Sequence, residues 1–333
     1  MKTNTKMNLD KGIYEDICTL APSPLSVGDT GLSSVFISEL VSKHIYTHGV
    51  LDLGQLVTYT ALEWNVLEEI LNSLKKEALL EIKGPASQTS GLRYSLTDKG
   101  IVFAKNALSK DGYVGIAPVT VEQYKNIVSS QNVHAEIISN DHISEAFSGV
   151  VIDQELLDQL GAAVNSRSAV FIYGPPGSGK SYICEKLSKV LSTYVLIPHA
   201  IYDAGTVIQV YDPANHQTVD YDKTSNGLQK IGFDQRYVLC HRPVIISGGE
   251  LTSEQLEVQS DHNSNQHEAP LQLKANNGIY LIDDLGRQKM SPKELFNRWI
   301  VPLETHKDFL NVHNGKRIEV PFDVILVFST NLN

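Results

Sequence analysis

Val170-Phe171-Ile172-Tyr173-Gly174-Pro175-Pro176-Gly177-Ser178-Gly179-Lys180-Ser181 is the stretch on which the fold turns. Its first four residues form a short apolar β run, and the next eight fit G-x-x-x-x-G-K-[ST]. Ile183, Cys184, Leu187, Val190 and Leu191 then recur at helical spacing, which assigns Cys184 to a core rather than to redox chemistry. Strand, glycine loop and helix in this order make a phosphate cradle. Glycines let successive backbone N–H groups turn inward around phosphate oxygens, and the helix N-terminus adds a favourable dipole. Gly174, Pro175, Pro176, Gly177, Ser178 and Gly179 supply the loop, with Tyr182 on the first helical turn. Lys180 would reach the β- and γ-phosphates of a nucleotide, and the Ser181 hydroxyl would ligate Mg²⁺. Average composition gives such an octet by chance on the order of once in a hundred chains of this length.

A phosphate cradle of this type needs an acidic partner strand, and Ile279-Tyr280-Leu281-Ile282-Asp283-Asp284 supplies one. On a parallel strand buried on both faces, two acids at the carboxyl end fall beside the phosphate loop. Asp283 would hold Mg²⁺ through water, and Asp284 would orient the attacking water. A third run, Val324-Ile325-Leu326-Val327-Phe328-Ser329-Thr330-Asn331, is another buried strand, and it ends in an amide. Asn331 is placed to hydrogen-bond the γ-phosphate or the water.

Around these runs the pattern from residue 150 is α/β: a helix over 151–165, the strand Val170–Tyr173, and Tyr194–Pro198 as a second strand. Residues 200–275 are rich in β-type residues and turns, and His262 and His267 fall in a polar run that reads as an exposed loop. His199, just after the second strand, is a candidate relay residue facing the γ-phosphate. Upstream, two helical stripes are followed by two short strands around a Gly/Pro/Ser loop and another helix, the order of a winged helix-turn-helix. The expected organisation is a tail (1–29), a small α+β winged-helix-like domain (30–112), a linker (113–149) and a nucleotide-binding core (150–333).

The three runs resemble the Walker A, Walker B and sensor 1 motifs of an AAA+ ATPase, a P-loop NTPase core with a parallel sheet. The lead-in Ala269-Pro270-Leu271-Gln272-Leu273-Lys274-Ala275-Asn276-Asn277-Gly278 is similar to that of the helix-2-insert group, which includes MoxR-like and chelatase ATPases. Residues 308–320, turning at Asn314-Gly315, look like the hairpin that precedes sensor 1 there. The resemblance implies Mg²⁺-dependent ATP hydrolysis coupled to remodelling or assembly of a protein client, in a homo-oligomeric ring. It departs in two ways. Asp284 stands where the family usually has glutamate, and the chain stops soon after Asn331, with no candidate for an arginine finger or lid. The expectation is therefore a truncated piece with weak hydrolysis, belonging to a longer natural product. Arg287 and Arg298 are the arginines close after the second motif. Ser291-Pro292-Lys293-Glu294, a capping box with proline at the first helical position, puts Arg298 on a helix, in a salt bridge or within reach of a neighbour's nucleotide.

The charge balance decides between function classes. With 28 basic and 38 acidic residues the net charge is −10, which argues against coating nucleic acid or an anionic membrane. Residues 30–112 carry eight Lys and Arg against nine Asp and Glu, and the presumed recognition helix holds Glu68 and Glu69. That is poor equipment for a phosphate backbone, so a protein client is favoured over DNA. The alternative is a nucleotide-switched winged-helix regulator of transcription or signalling; chelatase-like metal insertion rests on fold analogy alone. Cys18, Cys184 and Cys240 fit neither a disulfide framework nor a zinc site. No apolar run reaches the length of a membrane span and no secretory signal stands at the N-terminus, so a cytoplasmic location is expected.

Overall fold

The computed structural model describes residues 11–84, 91–133, 138–166, 168–175, 177–187, 190–191, 193–203, 205–220, 232–261, 263–312 and 315–331, side chains excepted at 11, 181, 184 and 185. Pro176, His262, Asn314 and the Ser181 and Cys184 side chains lie outside that description. No described helix is long and apolar enough to cross a membrane.

The front region begins with a helix where the sequence reading placed a tail: α1 (Lys11–Leu20). Ile17 and Ala21 are buried, with Tyr14, Cys18 and Leu20 packed beside them. Then come α2 (Ser34–His48), β1 (Leu51–Asp52), α3 (Leu53–Thr60), α4 (Trp64–Lys76), β2 (Leu80–Lys83), β3 (Arg93–Leu96) and α5 (Asp98–Lys110). The strands form an antiparallel sheet in the order β1-β3-β2, within the element order on which the winged helix-turn-helix expectation rests. Local chemistry sets the helix ends. Ser33 accepts from the Phe36 amide, Gly49 at φ +84° ends α2, and Asp52 with Gln55 makes a capping box on α3. The stripe Val66, Leu67, Ile70, Leu71, Leu74 is buried against α2, while α4 turns Trp64, Glu68 and Glu69 outward. Labelled duplex DNA titrated at physiological salt is expected to show no submicromolar binding in fluorescence anisotropy; submicromolar, sequence-selective binding would overturn the expectation that this helix meets protein rather than DNA.

The stretch read as a linker is built into the core. It holds β4 (Val119–Thr120), α6 (Val121–Ser130) and α7 (Asn140–Ala146), and Val119, Tyr124, Ile127 and Val128 are buried. Next are α8 (Gln154–Asn165), β5 (Val170–Tyr173), α9 (Lys180–Leu187), β6 (Tyr194–Pro198), β7 (Ala200–Asp203), β8 (Thr206–Gln209), β9 (Tyr237–His241) and β10 (Val244–Ser247). The chain continues through β11 (Gln259–Asp261), β12 (Gln266–Glu268), α10 (Leu271–Lys274), β13 (Gly278–Ile282), α11 (Pro292–Thr305), β14 (Lys307–Val312), β15 (Lys316–Pro321) and β16 (Val324–Thr330).

Four strands make a parallel sheet in the order β10-β13-β16-β5. Each face buries one side of the alternating residues. Ile279, Leu281, Ile325 and Val327 meet α7, α8 and α9, whereas Tyr280, Ile282, Leu326 and Phe328 meet α11 through Leu295 and Trp299. Burying side chains of this size contributes roughly 2–3 kcal/mol each. The second strand of this sheet is β10. Tyr194–Pro198, read from sequence as a second strand without a sheet assigned to it, is indeed a strand, but it pairs antiparallel with β9 and lies outside this sheet. Both are short apolar runs, so hydropathy does not separate them; only β10 has β13 as a parallel partner. A second sheet, β11-β12-β8-β7-β4, carries the front domain: Tyr113, Ala117, Ala200 and Val207 belong to the same apolar cluster as α2–α4.

Candidate functional site

The carboxyl ends of the parallel strands are aligned by register. Thr330 lies abreast of Tyr173, Phe328 abreast of Ile282, and Ile282 abreast of Ser247. With strands about 4.8 Å apart, Gly174, Asn331 and Asp283 leave the same sheet edge within about 10 Å of one another. Such an edge is where open α/β sheets bind ligands.

The loop after β5 closes around its own lysine. Gly177 and Gly179 take φ of +80° and +85°, a backbone region costly for any residue with a Cβ. Lys180 is 8% exposed, and its ammonium donates to the Gly174 and Pro175 carbonyls at 2.9 Å each. Helix α9 starts at that lysine, the Ile183 amide donating to the Gly179 carbonyl at 2.9 Å. Tyr182 is exposed on this first turn.

Across the edge, both acids are gripped by β16. The Ser329 hydroxyl donates to Asp283 Oδ1, which also accepts from the Asp284 amide at 3.1 Å. Asp284 has φ +53°, and its amide donates to Ser329 Oγ at 3.1 Å. Asn331 Nδ2 donates to Asp284 Oδ1 at 2.5 Å, while Arg287 Nη1 stands 3.8 Å from Oδ2. Gln288 braces the turn, donating to the Asp283 carbonyl at 2.8 Å and accepting from the Gly286 amide at 2.8 Å. The three motif strands singled out from sequence thus converge. Ser329 and Gln288 were missed as functional residues. Ser329 could have been found, because a hydroxyl interrupting the apolar run of β16 next to a double-acid strand needs a polar partner.

Other candidates fall elsewhere. Arg298 does lie on a capped helix, α11, but it is committed to the buried Asp308 at 2.6 and 3.1 Å and to Glu257 at 2.9 Å. His199 follows β6, outside the parallel sheet. Its ring packs edge-on to Tyr211, and burial pushes its pKa down to about 4. A neutral imidazole in the β-rich insertion does not serve the phosphate loop. His267 lies on strand β12 rather than in a loop, its Nδ1 2.8 Å from Ser260 Oγ. Cys240 is fully buried, and burial pushes its thiol up to about 12.

No family model and no curated protein matches the sequence. Among solved structures the chain is similar to one from the complex between subunits BchI and BchD of magnesium chelatase, at TM-score 0.35 and 14% identity, covering 60% of this chain and 54% of that one. It is similar to NtrX from Brucella abortus at TM-score 0.31 and 16% identity, covering 58% of this chain and 34% of that one. Bordetella bronchiseptica BpsR, a protein whose DNA binding is regulated by 6-hydroxynicotinic acid, matches 29% of this chain and 71% of its own at TM-score 0.21 and 17% identity. The chain spans about half the length of the first and a third of the second. With TM-scores this low, the class rests on this chain's own geometry. That geometry is a mixed α/β fold whose parallel sheet carries a glycine-rich loop closed around Lys180, consistent with a P-loop NTPase.

Proposed function

We propose that this chain is an AAA+ ATPase that binds ATP with Mg²⁺ and couples hydrolysis to remodelling or assembly of a protein client, as a homo-oligomeric ring. One observation carries the reading: Asp283 and Asp284 are clamped by Ser329 and Asn331 at the sheet edge from which the Lys180 loop departs. The donor set fits the nucleotide and its metal, with a cationic, glycine-lined loop on one strand and two oriented carboxylates on another. Lys180 and the loop amides would hold the β- and γ-phosphates, and Ser181 and Asp283 would face the metal. Asp284, steadied by Asn331, would orient the attacking water. When bound, Mg²⁺ neutralises charge on the phosphoryl group being transferred. The acidic outer face of α4 supports a protein client over DNA.

The test is equilibrium binding of a fluorescent ATP analogue. Wild type is expected to bind in a Mg²⁺-dependent way. Lys180→Ala is expected to weaken binding about 10- to 100-fold, because a charge-assisted contact to phosphate and the lysine's hold on the loop carbonyls are lost together. Coincident titration curves for the two proteins would remove the phosphate loop from the function.

A further inference from the structure

Ser329 is the one hydroxyl-bearing residue among the six at positions 324–329 of β16, which otherwise hold Val324, Ile325, Leu326, Val327 and Phe328. It is fully buried, with 0% exposure. A buried hydroxyl costs free energy unless its hydrogen-bonding capacity is used, and an alanine would fill the same place without that cost. Here the capacity is used on the site. Ser329 donates to Asp283 Oδ1 and accepts from the Asp284 amide. The hydroxyl and the Asp284 amide together converge on Asp283 Oδ1, which fixes the rotation of that carboxylate. The same hydroxyl secures Asp284 in a left-handed conformation that is costly for a non-glycine residue. Asn331, by contrast, reaches only the Asp284 side chain.

We infer that Ser329 is a positioning residue that orients the Asp283 carboxylate toward the nucleotide-bound divalent cation and so sets the cation concentration at which nucleotide is held. This rests on the proposed reading of the site as one for MgATP. Partners that orient a metal-facing group commonly affect metal affinity 10- to 100-fold when removed.

The experiment titrates MgCl₂ into EDTA-treated protein with a fluorescent ATP analogue and reads the half-saturating Mg²⁺ concentration. Ser329→Ala is expected to raise that midpoint about 10-fold. Affinity at saturating Mg²⁺ should stay within about twofold, since the phosphate loop is untouched. Ser329→Thr, which keeps the hydroxyl, should retain the wild-type midpoint. A general loss of packing would lower affinity at every Mg²⁺ concentration and would not single out the midpoint. An unshifted midpoint in Ser329→Ala overturns the role of Ser329. Should that variant be unstable, Ser329→Cys, with only a weak S–H donor, gives the same comparison, and an unshifted midpoint there overturns the inference equally. Nucleotide binding by wild type that ignores Mg²⁺ would instead overturn the reading of the site itself.

Discussion

Replacing Asp284 with asparagine is expected to suppress single-turnover ATP hydrolysis to background, with ATP affinity within about threefold of wild type. The substitution is nearly isosteric. The residue keeps an oxygen for Asn331, which now donates to Asp284 Oδ1 at 2.5 Å, and the backbone amide keeps Ser329. What disappears is the negative charge that would orient and polarise water, and positioned carboxylates of this kind contribute roughly 10²–10⁴ in rate. Binding survives because the Lys180 loop lies on a different strand. Single-turnover measurement with excess protein suits the question, since it reads chemistry even when product release is slow. Unchanged hydrolysis in Asp284→Asn, with nucleotide still bound, would show that another group orients the water.

The second large effect is on stability. Arg236 is almost fully buried and pairs bidentately with the buried Asp234, Nε donating to Oδ1 at 3.1 Å and Nη2 to Oδ2 at 2.8 Å. Nη1 donates to the Thr30 and Pro118 carbonyls at 2.9 and 3.1 Å. The Asp234 amide donates to the Ala21 carbonyl at 2.8 Å, and the Arg236 carbonyl accepts from the His199 amide at 3.0 Å. The ion pair therefore ties the entry to α2 and the approach to β4, while the backbone of the same two residues bonds the end of α1 and the β6–β7 turn. Arg236→Ala leaves a buried carboxylate and two carbonyls without the guanidinium, at a cost of about 3–5 kcal/mol. Arg236→Lys should recover little, because an ammonium cannot reproduce the planar fork. The expected readout is a lowered urea midpoint together with faster amide exchange at the segments around Thr30 and Pro118. Exchange rates there that match wild type would show that apolar packing, not the ion pair, holds these segments.

The site was legible in sequence where the chemistry is local. A phosphate loop is one continuous octet, and the double-acid and amide-ended strands are contiguous runs whose last residues must share a sheet edge once the strands are parallel. That Lys180, Asp283, Asp284 and Asn331 gather at one end of the sheet was readable for that reason. The hairpin before β16, now β14 paired with β15, and the winged-helix order of α2 to α5 were readable as well, since turn residues and helical stripes are short-range signals. The clamp by Ser329 was not read, because it depends on Ser329 lying abreast of the acids on the neighbouring strand.

What the sequence by itself determined is the run of elements from α2 to α5 and the three motif strands with the residues at their ends. Tertiary structure alone decided which elements are partners. Tyr194–Pro198 and Val244–Ser247 are equally apolar, yet only the second joins the parallel sheet, because strand pairing is settled by backbone groups far apart in the chain. Helix α1 is too short to show its stripe against polar neighbours, and it is defined by burying Ile17 in a core that also holds Leu239 and Cys240. The segment with β4 and α6 looks like a linker in composition. It becomes core because Asn276 and Asn277, at the start of β13, bond Tyr124 and the Val128 carbonyl of α6. Arg298 could have faced a nucleotide until Asp308, ten residues away in the chain, met its guanidinium. Local pattern fixes each segment's own hydrogen bonds and apolar face. It carries no information about which distant face will cover it.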